Sequence, residues 1–193
     1  MCNQEFKHIE ISELLFKSSD SFAIELIKTL TNNLFFTNFS NFKFFILIQY
    51  EFNEMFLHSI TKNDDLINFH SFIETVKSHN KLLLSDIVKF KIENKIVVPQ
   101  TYKITKNELA AWLYVYFFCD YFSSFYFKEI NTNINYCSTK KYLLIDNFNK
   151  KRTWNLFNNF LNKNYFNEIN KEEILKSIDT FSTEYINILG EKS

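Results

Sequence analysis

Glycine and proline are almost absent from this sequence, which holds one glycine, Gly190, and one proline, Pro99. Phosphate-binding loops, dinucleotide-binding turns and nucleophile elbows all require glycine, because their backbone must approach a ligand closely or adopt a positive φ. None of these sites can be formed here. The sequence therefore excludes the enzyme classes whose chemistry depends on such loops.

Cysteine is also scarce. The three cysteines, Cys2, Cys119 and Cys137, are an odd number and form no CxxC pair, which argues against a disulfide framework and a zinc knuckle. Residues 1–12 contain no long apolar run, so no secretory signal is expected. We expect an intracellular protein in a reducing compartment, with no cofactor and no metal site.

Phenylalanine and asparagine are abundant, with 24 phenylalanines among 193 residues. More than half of the residues are of types encoded by AT-rich codons, which indicates an AT-rich genome. Phenylalanine then replaces other apolar residues in the core. A chain of this length supports one self-sufficient core, so residues 1–193 are predicted to form a single α-helical domain.

Apolar residues recur at steps of three and four, which predicts a mainly α fold, a bundle of about seven helices. Helices are expected near residues 20–31, 41–61, 64–78, 109–127, 151–161 and 171–189, with another ending near Asn94. The apolar run 109–127 has one charge, Asp120. Because an ionised carboxylate in lipid costs about 2.5 to 3.5 kcal/mol, this run is predicted to be the buried central helix of the bundle. Residues 85–104 also alternate as a strand would, which leaves a small β-element open there.

Two helices carry signals for their ends. Thr105 and Glu108 have the spacing of a capping box, and so do Asn170 and Glu173. Gly190 follows the last apolar residue of the final helix, which predicts a left-handed residue that ends it.

Two carboxylate–histidine pairs lie on consecutive expected helices: Glu54 with His58, and His70 with Glu74. Helical bundles do form metal sites from inward Glu and His, but usually with a spacing of three residues. Here the spacing is four, and Glu54 and His58 point away from the apolar stripe of their helix. Solvated surface pairs are the favoured interpretation, with a helical metal-dependent enzyme as the remaining alternative.

Positive charge is concentrated in the middle of a chain whose net charge is zero. Segment 140–154 combines basic side chains with aromatic ones, a composition suited to nucleic acid or to an acidic partner. The candidate binding residues are Lys140, Lys141, Lys150, Lys151, Arg152 and Trp154.

The leading functional prediction is a non-enzymatic protein-interaction protein, either a subunit of an assembly or an inhibitor-type binding protein. An aromatic content of 19% supplies the large contact residues that dominate protein interfaces. Nucleic-acid binding through segment 140–154 is the second prediction. Association with a membrane is not expected.

Overall fold

The computed structural model describes residues 11–35, 37, 39–60, 68–93, 104–133, 147–164 and 168–191, the side chains of 11–19, 123–133, 147–148, 168–170 and 191 excepted. These residues form six helices and no strand, which confirms the mainly α prediction with one helix fewer than expected. The helices are α1 (Ile11–Asn32), α2 (Phe39–Ile60), α3 (His70–Lys89), α4 (Lys106–Asn133), α5 (Asn147–Asn164) and α6 (Glu168–Glu191).

Helix α4 is the centre of the bundle. Every residue from Leu109 to Asp120 is buried, because the apolar run presents no polar face to solvent. The helix packs chiefly against α5 and α6. Ring contacts join it to the other three helices: Trp112 to Phe56 of α2, Phe117 to Phe72 of α3, and Phe118 to Phe22 of α1. Among the described helices, none is long and apolar enough to cross a membrane.

Helices α1 and α6 bury one stripe each, whereas α2 is buried on all sides from Phe45 to Tyr50. Helix α1 buries Phe22, Leu26 and Leu30, at steps of four. The buried stripe of α6 consists of Ile174, Ile178, Phe181, Tyr185 and Leu189. These spacings place each set on one face of its helix.

The two helices predicted on either side of residue 80, 64–78 and the one ending near Asn94, form one continuous helix. In α3 the buried residues Ile73, Val76, Leu83 and Ile87 continue a single stripe. The helix ends at Lys89 and is followed by a turn in which Lys91 has φ 52°. Residues 85–93 therefore contain no strand, and the remainder of the proposed β-element, 94–103, lies outside the described residues, as do 61–67.

The capping box at the start of α4 is confirmed. The Glu108 backbone N–H donates to Thr105 Oγ1 at 3.2 Å, and the Thr105 N–H donates to the Glu108 carboxylate at 2.7 Å. This reciprocal pair satisfies two N–H groups that the helix itself leaves without partners.

Both predictions about the ends of α6 are wrong. The helix begins at Glu168, so Asn170 lies inside it and does not cap it. Gly190 also lies inside the helix and has no positive φ. A tertiary contact supplies part of the missing cap, because Asn33 Nδ2, in the turn after α1, donates to the Leu189 carbonyl at 2.8 Å.

Candidate functional site

A cluster of four polar side chains is buried on one side of α4. Tyr116 and Asp120 lie one turn apart on that helix, and the Lys150 Nζ of α5 is 3.1 Å from Asp120 Oδ1. The His79 Nδ1 of α3 is 2.6 Å from the Tyr116 hydroxyl and 3.9 Å from Asp120 Oδ2. The side chains of Asp120 and Lys150 are only 3% and 2% exposed. We call these four residues the polar cluster.

Helical spacing places Lys150 in the core. It precedes Trp154, Phe157 and Leu161 by four, seven and eleven residues, so it falls on the same stripe as these three buried side chains. Its ammonium group meets Asp120, the single charge within the apolar run of α4. The pair is therefore a consequence of two helices whose apolar stripes each include one charged residue.

Burial shapes the electrostatics around this cluster. It lowers the pKa of His79, an effect to which the Lys150 charge adds and which the Asp120 carboxylate opposes. The ring is therefore neutral at pH 7. Burial also raises the pKa of the neighbouring Cys119 thiol well above its usual range, so Cys119 is a small apolar core residue and no thiolate nucleophile.

The two predicted carboxylate–histidine pairs do not meet to form one site in the described structure. Glu54 is 3.6 Å from His58 and accepts a hydrogen bond from Asn80 of α3, whereas Glu74 pairs with Lys77 at 2.7 Å. The hydrogen bond from Lys77 lowers the pKa of Glu74. In the described part of the chain, no three His, Cys, Asp or Glu side chains lie close enough together to hold a metal ion. The arrangement does not support the metal-dependent interpretation.

The structure divides the predicted basic binding residues. Lys150 and Trp154 are buried in the core, so neither belongs to an exposed binding surface, and Trp154 is unavailable for stacking on a base. Lys151 and Arg152 are exposed. Lys140 and Lys141 lie outside the described residues.

The exposed side of α5 contains a basic residue that the sequence interpretation missed. Arg152, Leu156, Asn159 and Lys163 are all exposed and are separated by steps of four, three and four, so they share one face. Lys163 lies beyond segment 140–154, but its spacing of eleven from Arg152 is the signal that identifies it. We call these four residues with the exposed Lys151 the basic face of α5.

Two cavities border α6. The first, of about 330 Å³, lies against the start of α4 and is lined by Thr105, Asn107, Glu108, Glu173, Lys176, Ser177, Thr180 and Phe181. The second, of about 90 Å³, lies between α1 and α6. No residue of the polar cluster lines either cavity.

Comparison with solved structures shows a fold similar to a known one over nearly the whole chain. No protein-family profile and no curated protein matches this sequence. Among solved structures, the fold is similar to that of the heme oxygenase from Neisseria meningitidis, determined with NO and CO bound, at a TM-score of 0.78. The match covers 95% of this chain and 92% of that one, at 16% sequence identity.

This match overturns the prediction of a non-enzymatic protein-interaction protein. That prediction excluded chemistries based on glycine loops, metal clusters and thiols, and treated a helical bundle as an interaction scaffold. The same architecture serves a heme enzyme in the matched protein. A helical scaffold whose reactive group is a bound cofactor needs none of the excluded motifs, so the argument by exclusion was incomplete.

Proposed function

We propose that this protein uses a heme oxygenase fold to bind nucleic acid through the basic face of α5, and that its described core does not house a heme. The observation that supports the binding function is the composition of α5. The helix has three exposed basic residues, Lys151, Arg152 and Lys163, and no acidic one, within a chain whose total charge is zero.

The geometry of the basic face suits a row of phosphates. Arg152 and Lys163 are eleven residues apart on one side of a helix, a rise of about 16 Å, with the exposed amide of Asn159 between them. Cationic side chains and amide donors contact phosphate oxygens without reading the base sequence. Because Trp154 is buried, base stacking contributes nothing from this residue. The expected binding is therefore salt-dependent and independent of sequence.

The described core has no room for a heme where its central helix packs. Aromatic rings fill the space around α4: Phe118 contacts Phe22 at 5.4 Å and Trp154 at 5.9 Å between ring centroids, and Tyr114 contacts Trp154 at 5.1 Å. Pockets that enclose a ligand of this class usually measure hundreds of cubic ångströms. The 330 Å³ cavity is of that size, but no histidine, cysteine, methionine or tyrosine lines it.

Among the described histidines and cysteine, none is placed as an axial ligand for heme iron, a role that proteins give to His, Cys thiolate, Met or Tyr. His79 is buried and bonded to Tyr116, while His58 pairs with Glu54 at the surface and His70 is exposed. Cys119 is held as a thiol by burial. The described residues therefore do not fit a heme, and we derive no chemistry from one.

Addition of hemin to the purified protein should give no saturable shift of the Soret absorption band that depends on a described histidine, because the described core offers neither space nor a free iron ligand. The control is the Neisseria heme oxygenase, titrated under the same conditions. A one-to-one Soret transition that disappears in His79→Gln, His58→Gln or His70→Gln would overturn the conclusion about heme. Nucleic-acid binding is measured separately, so the two parts of the proposal fail independently.

Replacement of Lys151, Arg152 and Lys163 by Gln should weaken binding to a short DNA duplex and make it less sensitive to salt. Each lost phosphate contact removes about 0.9 from the slope of log affinity against log salt, so three contacts account for a change of about 2.7. Fluorescence anisotropy across a salt series measures both quantities. The melting temperature should stay nearly unchanged, since all three side chains are exposed.

The matched control is a variant with Lys28, Lys81 and Lys176 replaced by Gln, which removes the same charge from exposed positions on α1, α3 and α6. This control variant should keep most of the slope of log affinity against log salt. Equal loss in both variants would show a nonspecific effect of net charge, and absence of binding by the unmodified protein at low salt would reject the function.

A further inference from the structure

We infer that His79 makes the contact between α3 and α4 an acid-sensitive switch: protonation of its ring loosens α3 from α4, while the Asp120–Lys150 pair stays in place. His79 is the member of the polar cluster that α3 contributes. Tyr116 and Asp120 belong to α4, and Lys150 belongs to α5. Displacement of α3 therefore takes the imidazole ring out of the core without separating the two charged partners.

The charges of the polar cluster balance only while His79 is neutral. The Lys150 ammonium lies 3.1 Å from Asp120 Oδ1, so one positive charge already compensates the one carboxylate. The Tyr116 hydroxyl, 2.6 Å from His79 Nδ1, carries no negative charge at neutral or acid pH. A proton on His79 adds a second positive charge to a buried site that contains a single negative one. Because an uncompensated buried charge is strongly unfavourable, the protonated ring is more stable in water.

The charged groups of the neighbouring helices do not offset this imbalance. From α4 and α5, the charges that act on His79 are those of Asp120 and Lys150. On the side of α2, Glu54 accepts a hydrogen bond from Asn80, the residue that follows His79. Burial has the largest influence and, together with the Lys150 charge, holds the pKa of His79 below its usual value against the opposing carboxylate.

His79 is also the most exposed member of the polar cluster. It is 8% exposed, whereas each of the other three residues is 3% exposed. A small movement of α3 therefore hydrates the protonated ring and leaves the pair between α4 and α5 enclosed. Hydration of His79 requires less rearrangement of the core than exposure of Asp120 or Lys150.

The direction of the pKa shift sets the pH range of the switch. The pKa of His79 is lower when α3 is packed than when its ring is in water. The contribution of the neutral ring to the packed state is therefore complete above about pH 6.5 and is lost as the pH falls below that value. With a packed ring that stays neutral, the equilibrium constant for opening of α3 rises about eightfold between about pH 7 and pH 5.5.

Two measurements on the unmodified protein test the switch. In an NMR titration, the ring of His79 should remain neutral at about pH 5.5, whereas histidines of the same protein unfolded in urea titrate near 6.5. Hydrogen exchange, corrected for the intrinsic effect of pH, should show the eightfold rise in the opening constant of α3. At the lower pH, the amides of α3 should also exchange with a larger opening constant than those of α6.

Substitution of the histidine separates the switch from a general effect of acid. His79→Gln cannot take up a proton, so the opening constant of α3 should change by less than about twofold over the same pH range. His70→Gln, an exposed position on the same helix, is the matched control and should keep the eightfold rise. If His79→Gln does not fold, the two measurements on the unmodified protein decide.

Three results would overturn the inference. The first is a His79 ring that is protonated at about pH 5.5 with no change in the exchange of α3. The second is an equal opening constant for α3 and α6 at that pH, which would mean that acid unfolds the whole protein and does not release one helix. The third is the same pH response in folded His79→Gln as in the unmodified protein.

Discussion

Replacement of Lys150 by Met should lower the free energy of unfolding by about 3 to 5 kcal/mol, since it leaves the Asp120 carboxylate buried without its cation. The two charged atoms are 3.1 Å apart, and both side chains are almost fully enclosed. Chemical denaturation monitored by circular dichroism measures the change. Lys151→Met is the matched control, because Lys151 adjoins Lys150 in the sequence but is exposed. This substitution should alter stability by at most about 0.5 kcal/mol.

Two further measurements distinguish a charge effect from a packing effect at this site. The double variant Asp120→Asn with Lys150→Met should be more stable than Lys150→Met alone, because no charge is then left unpaired. In Lys150→Met the pKa of His79 should rise, since a neighbouring positive charge is lost while Asp120, 3.9 Å away, remains. Protonated His79 then replaces the missing cation, so the deficit should shrink as the pH falls below about 6.5. A deficit that stays constant with pH would indicate lost packing alone.

Truncation of Trp112 to Ala should cost about 3 to 5 kcal/mol, the range for removal of a large buried aromatic side chain. The indole stacks on Phe56 of α2 with ring centroids 3.5 Å apart, and also contacts Phe52 and Tyr116. It is 4% exposed. The resulting cavity would lie between α2 and α4, so thermal unfolding should shift to a much lower temperature.

The control for this truncation is Leu156→Ala on the exposed side of α5. Leu156 is 52% exposed, so its truncation should change stability by no more than about 0.5 kcal/mol. Similar losses in the two variants would mean that the order of burial described for α4 and α5 is incorrect.

Most of the helical fold follows from local pattern. The run from Leu109 to Phe127 lacks a polar face, and its burial from Leu109 to Asp120 agrees with its predicted place at the centre. The capping box at Thr105 is a short-range feature that two residues three positions apart, Thr105 and Glu108, determine. Such features depend on neighbours in the sequence and can therefore be predicted without a structure.

The end of α6 shows where local pattern fails. Gly190 has the position of a left-handed cap in sequence, yet the helix continues through it to Glu191. A hydrogen bond from Asn33, 156 residues away, satisfies the Leu189 carbonyl at that end. A long-range donor of this kind cannot be read from the residues around the helix terminus.

The candidate sites depended still more on tertiary structure. The basic residues between Lys140 and Trp154 are candidate binding residues because they are close in sequence. In a helix, however, the side chains of adjacent residues point in different directions. Lys150 consequently points into the core, whereas Lys151 and Arg152 face solvent. The spacing of Lys150 from Trp154 and Phe157 was a usable signal, but its significance depends on Asp120, thirty residues earlier on another helix.

By itself, the sequence determined that the protein is helical, that α4 is buried and that glycine-built sites are impossible, because composition and helical periodicity are local properties. Only the tertiary structure decided which charges are paired in the core, which basic residues form one face and that a cavity lies between α1 and α6. These properties require side chains distant in sequence to meet, and their distances are set by the packing of six helices as a whole.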